Sequence, residues 1–468
     1  MAPIVFPASH SPGLKSSEGA GRLVNCFAEK LGDGARSPYV LHRVPGLKTW
    51  GTTSRSGFRG GIEVQGVLYA AFDGKLEKFS SSGGASTNVG NLNGTKRGFF
   101  ARNYAVTPDL VFVDTDGNIA TFTVSSVTNS YPDADLPAVN SVDCIKGYFA
   151  WSTGDGKIYC SDLNSTAVNA LSYADTRDEL YRVVAYADRL YGLGKRKITI
   201  WSDQGLAPFP LGLVDTIPRG VAGAYCVTGH EPGFSKGLFI VADDNGVYKI
   251  VGNDTQKISP SDLDDLIEAV ADKTELEMTS YTSRGHALIE VSSPTWTWVY
   301  NINTGEWHTR KAYLGSRSRI ASAVYGFGKW LAGDTESGNL PEITRSAALD
   351  VSAPLVCEAW SAPVQHFPNR IRVASMWFNF TVGVGDAEGE DPIATDPTVE
   401  ISWSDDGGQT FSTPRQVKLG RQAIGNTRVR INQCGVTGSQ GRIVKVAFSD
   451  PVHFGLTGGE MVAELRAA

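Results

Sequence analysis

One run has the residue types and spacing of a defined polar motif. Ser404-Asp405-Asp406-Gly407-Gly408-Gln409-Thr410-Phe411 fits the pattern S-x-D-x-G-x-T-aromatic, an Asp box. A carboxylate at Asp406 can accept several backbone N–H bonds across a turn. Gly408 tolerates positive φ, Ser404 and Thr410 add hydroxyls, and Phe411 can pack back on a sheet. This chemistry stabilises a hairpin, so the expected role of these five residues is structural.

Asp boxes also occur in sialidases, which raises a glycan-processing alternative. A sialidase-like site needs several arginines for a carboxylate, a tyrosine nucleophile and acidic partners. The sequence has a single Asp box and no ordered arginine set on equivalent strands. The histidines are His10, His42, His230, His286, His308, His366 and His453, with no HxH or HExxH spacing, so no metal site is expected. His286 and His308 read as hydrogen-bonded strand residues beside Trp296 and Trp307. There is no GxxxxGK[ST] and no GxSxG, and Gly57-Phe58-Arg59-Gly60-Gly61-Ile62 lacks a phosphate-loop context. Catalytic, cofactor-binding and metal-binding residues are all expected to be absent, and no cofactor is implied. The six cysteines lie far apart without a CxxC pair and read as free thiols of a reducing cytoplasm.

The elements that must carry these residues are strands. Glycine makes up 52 of 468 residues, and glycine weakens helix interiors. The formal net charge of −6 argues against a strongly basic nucleic-acid binder. No stretch reaches ~18 apolar residues, so no membrane-spanning segment is expected. Met1 to Lys15 carries Pro3, Pro7 and Pro12 without an early basic cluster, unlike a signal peptide.

A two-strand unit recurs. Val67–Phe72 leads through Asp73-Gly74 to Lys75–Phe79, and six further pairs turn at Gly117, Gly156, Lys195, Gly246, Pro294 and Gly338. Steps of 39 to 51 residues between these turns are the period of a β-propeller of four-stranded blades. The expected fold is all-β, a propeller of seven blades, or six if a terminal unit belongs elsewhere. The alternative is a non-repeating array of β-sandwiches. Residues 1–50 read as an extended N-terminal arm, 51–350 as the propeller, and 351–468 as a separate C-terminal β-sandwich carrying the Asp box. Within the propeller, 259–272 predicts a helical insertion with a Ser259 cap and Pro260 at the first helical position. The insertion accounts for one long step, while the step of 51 from Lys195 to Gly246 has no such account.

Four ordered stretches resemble a known family. They are Arg22–Glu29 with Val44-Pro45-Gly46-Leu47; Arg219–Cys226 after Trp201-Ser202-Asp203; Arg284-Gly285-His286-Ala287 through Trp296–Asn301 to Thr304–His308; and Ser402–Thr410 with Leu419-Gly420, Arg428-Val429-Arg430 and Ser449-Asp450-Pro451. Together they span nearly the whole chain and resemble the packaged-DNA stabilisation, or tail-hub (nozzle), proteins of short-tailed bacteriophages. Thr295–Trp298 departs from the family pattern in being more aromatic. The resemblance implies a virion tail subunit, made and assembled in the host bacterial cytoplasm, that forms a homo-oligomeric ring, commonly a hexamer. The ring extends the portal–adaptor channel, retains packaged genome and conducts double-stranded DNA during ejection without sequence specificity. It also carries tail fibre, tailspike or needle proteins. The net charge and the acidic stretch 262–277 motivate a mildly acidic channel wall, along which DNA slides. The competing reading is a glycan-binding or sialidase-like propeller.

Overall fold

Every one of the seven hairpins read from the sequence forms the middle of a run of four antiparallel strands, five of these runs being separate sheets and two continuing into larger ones. A computed structural model describes residues 2–13, 18–35, 37–366 and 369–466. Blades 1 to 6 cover 58–91, 98–128, 141–175, 180–217, 227–257 and 277–309. Blade 7 takes three strands from 320–344, and Gly46–Thr52 completes it as the outer strand, with Leu47 opposite Ile343. Seven blades, not six, close the ring.

The strands are buried on both faces, which explains their near-continuous apolar runs. Every residue of Leu110–Asp114 is buried. Its Val111 and Val113 pack with Phe149 and Trp151 of blade 3. Leu193 and Ile198 of blade 4 likewise meet Ile240 and Ala242 of blade 5. At two of the tight turns the left-handed backbone falls on the residue before glycine, Asp73 (φ 43°) and Asn245 (φ 68°). Aspartate and asparagine tolerate that region best among non-glycine residues.

The boundaries drawn from the sequence need correction. Residues 1–50 are not an irregular arm throughout, because Gly46–Thr52 belongs to blade 7 and the strands before it pair with the C-terminal region. One sheet runs Cys26–Lys30, Tyr39–Arg43, Gly455–Arg466, Arg370–Phe380 and Val429–Asn432, with Ala2–Ile4 alongside Gly455–Arg466. The facing sheet runs Arg22–Val24, Cys357–Trp360, Ile443–Phe448, Thr398–Ser404 and Arg415–Lys418. Leu23, Ala28, Leu41, Met376, Ile401, Val446 and Leu456 share the core between them. The sandwich is therefore built from both chain termini. It is not separate from the propeller either: Val24 pairs with Thr309 of blade 6, joining both into one nine-stranded sheet. These pairings link residues hundreds of positions apart, so no local pattern announces them.

The inserted helix is Ser261–Glu268, followed by a 3₁₀ turn at Lys273–Glu275. Pro260, not Ser259, occupies the cap position and offers no side-chain bond. Ser259 Oγ instead accepts from the Val247 amide. Leu263 and Ile267 bury the inner face of the helix. Among the described residues, no helix is long and apolar enough to cross a membrane.

Candidate functional site

The innermost strands of the blades surround a cavity of about 810 Å³ on the propeller axis. Its polar groups are single residues from different blades. Arg182 lies on Leu180–Tyr186 of blade 4, where a guanidinium interrupts an otherwise apolar strand. It stacks on Phe99 of blade 2, 4.2 Å from the ring centre. Its Nη2 is 2.9 Å from His230 Nε2. Burial pushes Arg182 down to about 10 and His230 down to about 4. His230 is therefore neutral near pH 7, and its Nε2 accepts a hydrogen bond from the arginine.

The carboxylates around the cavity are committed to local partners. Glu231 accepts from Thr228 Oγ1 (2.7 Å), the Gly229 amide (2.7 Å) and Ser280 Oγ (2.8 Å). Asp143 accepts the amides of Cys144 (2.7 Å) and Ala185 (2.8 Å). Burial outweighs those two bonds and raises Asp143 to about 6. Glu277 of blade 6 lies 3.6 Å from Arg97 Nη1 and 3.1 Å from Arg317 Nη2.

A connection between blades spans the axis. The connection from blade 4 to blade 5, residues 218–226, crosses it. The backbone carbonyl of Tyr225 accepts from Met278 of blade 6. Its hydroxyl donates to the Arg97 carbonyl (2.6 Å) and lies 3.2 Å from Thr115 Oγ1, both of blade 2 or its approach. Blades 2 and 6 stand on opposite sides of the ring, so the tyrosine spans the axis. Arg97 covers its ring at 4.9 Å. This crossing, together with the loops at 204–210 and 229–238, fills the step of 51 residues that the sequence left unexplained.

A family model described as "Bacteriophage P22 Gp10, beta-propeller" (Phage_stabilise) matches residues 22–348. The chain belongs to this family. The match spans the propeller together with the N-terminal strands that close it, and it includes the Tyr225 crossing. The family is one of structural phage proteins concerned with stabilising packaged DNA. No curated protein matches the chain. Among solved structures, the chain is similar to the WD40 β-propeller domain of Doa1, with 9% identity, TM-score 0.41, and coverage of 64% of this chain and 97% of that one. It is also similar to the computationally designed Ika8 protein, with 10% identity, TM-score 0.36, and coverage of 73% and 100%.

The Asp-box residues lie outside the stretch matched by the family model, at the edge of the sandwich and far in sequence from the axial residues. The exposed carboxylate of Asp406 accepts from Ser404 Oγ (2.6 Å), Thr410 Oγ1 (2.5 Å) and the amides of Gln409 (3.0 Å) and Thr410 (2.9 Å). The two hydroxyls and the amides hold it well below the usual carboxylate range. Gly408 has φ 89°, and Phe411 meets Trp360 edge-on at 4.7 Å. Sequence reading passed over Asp405. This neighbour makes a bidentate pair with buried Arg442, at 2.8 Å for each bond. It also passed over Arg97 and Arg182, met Tyr225 only within the Arg219–Cys226 stretch, and noted His230 only within the histidine inventory. The available signal was Arg182, a charge inside Leu-Tyr-Arg-Val-Val-Ala-Tyr. Among the described residues, no group of three or more His, Cys, Asp or Glu side chains is placed to hold a metal ion.

Proposed function

We propose that this chain is a subunit of a phage tail hub or nozzle. Copies assemble as a hexameric ring that extends the portal–adaptor channel, retains packaged DNA and conducts it during ejection. The ring carries tail fibre, tailspike or needle proteins at its far side and performs no catalysis. The observation that carries this reading is the family match over 22–348. The Tyr225 crossing adds a constraint: a blocked propeller axis offers DNA no path through a single subunit. Duplex DNA would therefore travel along the centre of the ring, between subunits.

The wall facing that DNA is mildly acidic in this reading. Several acids of 262–277 are, however, held locally. Asp262 lies near Ser11 and Gly13, Asp264 pairs with Lys257, and Asp272 caps the 3₁₀ turn. Their contribution to a wall is correspondingly reduced.

Electron microscopy of the purified protein, alone and mixed with portal–adaptor complexes, tests the proposal. Rings seated coaxially on the portal are the expected outcome. Monomers that never join portal complexes, or a continuous Lys/Arg lining in the ring, would contradict the assembly or the sliding wall respectively.

A further inference from the structure

We propose that the axial cavity binds an oxyanion headgroup, phosphate or carboxylate, borne on a sugar-sized body, with Arg182 and Arg97 as its receptors. The inference is independent of ring assembly and rests on an imbalance of donors and acceptors. Six arginines are buried among the described residues. Arg59, Arg310, Arg319 and Arg442 each lie within ion-pair distance of a carboxylate. Arg43 donates to the carbonyls of Ala348, Asp450 and Val452. Arg182 has no such contact: Asp143 and Glu231 act on it only at longer range, and its hydrogen-bond partner is the imidazole of His230.

The shortage extends around the cavity. Arg182 Nε, Arg97 Nη1 and His230 Nδ1 are buried nitrogens without a hydrogen-bond partner. With His230 Nε2 accepting from Arg182, its Nδ1 carries the proton, so all three are donors. A buried donor left unpaired is costly. The nearby carboxylates leave the gap open: Glu231 and Asp143 make the bonds described above, Glu231 stays 3.9 Å from His230 Nδ1, Glu277 stays 3.6 Å from Arg97 Nη1, and Glu63 and Asp188 line the wall without bonding these nitrogens. What these three donors lack is an acceptor at hydrogen-bond distance.

Size and lining indicate what else the ligand carries. A volume of about 810 Å³ is far larger than a bare ion requires and falls in the range of small-molecule sites. Tyr104, Tyr186 and Tyr325 contribute to the wall, and Tyr104 is 60% exposed. Tyrosine rings pair an apolar face with a polar edge, which suits a sugar ring. A ligand enters past these tyrosines with its headgroup leading.

Calorimetry and thermal unfolding of the full chain test this with three probes at matched ionic strength: inorganic phosphate, glucose 6-phosphate and N-acetylneuraminate. Binding of at least one probe is expected, with a rise in melting temperature. The pattern separates a bare ion from a phosphorylated or carboxylated sugar. Arg182→Met and Arg97→Gln each weaken binding by roughly tenfold or more, as expected for lost charge-assisted bonds. Arg182→Met leaves the ligand-free melting temperature unchanged or raises it, because no carboxylate loses a hydrogen-bonded partner. The proposal is overturned if no probe binds, if Arg182→Met retains full affinity, or if Arg182→Met alone destabilises the ligand-free protein as loss of a paired arginine does.

Discussion

Arg59 and Arg182 both sit on innermost blade strands and both stack on a phenylalanine of blade 2, at 4.9 Å from Phe112 and 4.2 Å from Phe99. Their bonding is opposite. Arg59 donates to the carbonyls of Lys96 (2.6 Å), Asp73 (2.8 Å) and Asn93 (3.0 Å), and to Asp114 (3.0 Å). Asp114 is in turn held by Asn118 and the Asp116 amide. That guanidinium ties the turn of blade 1 to the approach of blade 2 and leaves little unmet. Arg182 sits in a comparable setting with one neutral partner. The difference teaches that burial and aromatic stacking do not define a role. The state of the remaining donors does: a filled set fixes neighbouring blades, and an unfilled set awaits something from outside.

The sharpest test removes each charge in turn. Arg59→Met strands Asp114 as an unpaired buried carboxylate, so a loss of about 3–5 kcal/mol is expected, read from urea unfolding. Arg182→Met in the same assay falls within about 1 kcal/mol of the parent or above it. Equal losses for the two would erase the contrast.

A second test uses pH. Asp143 is raised from 3.8 to about 6 by burial. The native state therefore binds the extra proton between those values. The stabilising share of this group is fully present below 3.8 and lost as pH rises through about 6. His230 behaves oppositely. Lowered from 6.5 to about 4, it favours the fold above 6.5, and that share disappears as pH falls through about 4. Asp143 faces Arg182, with Tyr104 and Cys144 also close enough to feel its charge. Protonating it removes a negative neighbour of the receptor arginine. Oxyanion affinity should thus rise as pH falls from about 7 to about 5, and Asp143→Asn should flatten that dependence in calorimetry. The smallest effect belongs to Tyr225→Phe, which removes the hydroxyl bonds across the axis. A loss of about 0.5–1.5 kcal/mol is expected, with faster hydrogen exchange at the Met278 amide.

Much of the propeller was legible because each blade centres on a local hairpin, such as Val67–Phe72 turning into Lys75–Phe79. The sandwich was only half legible. Its C-terminal strands showed as apolar runs, but Cys26–Lys30 and Tyr39–Arg43 look irregular until Gly455–Arg466 pairs with Tyr39–Arg43. Similarly, Gly46–Thr52 carries no mark of belonging beside Asn339–Thr344. The axial site was least legible. Arg97, Arg182 and His230 come from separate blades, and only closure of the ring brings them together. The Asp box was readable because the hydrogen-bond partners of Asp406 all lie within Ser404–Thr410.

The pairing of Ala2–Ile4 with Gly455–Arg466 has a temporal meaning. On the ribosome, the early strands emerge long before their mates exist, and blade 7 stays unsealed at one rim until Asn339–Thr344 appears. Contacts this remote in the chain form slowly, and bare strand rims invite clumping. Gly46–Thr52 and its upstream neighbours must therefore wait, unpaired or shielded, while several hundred residues are translated.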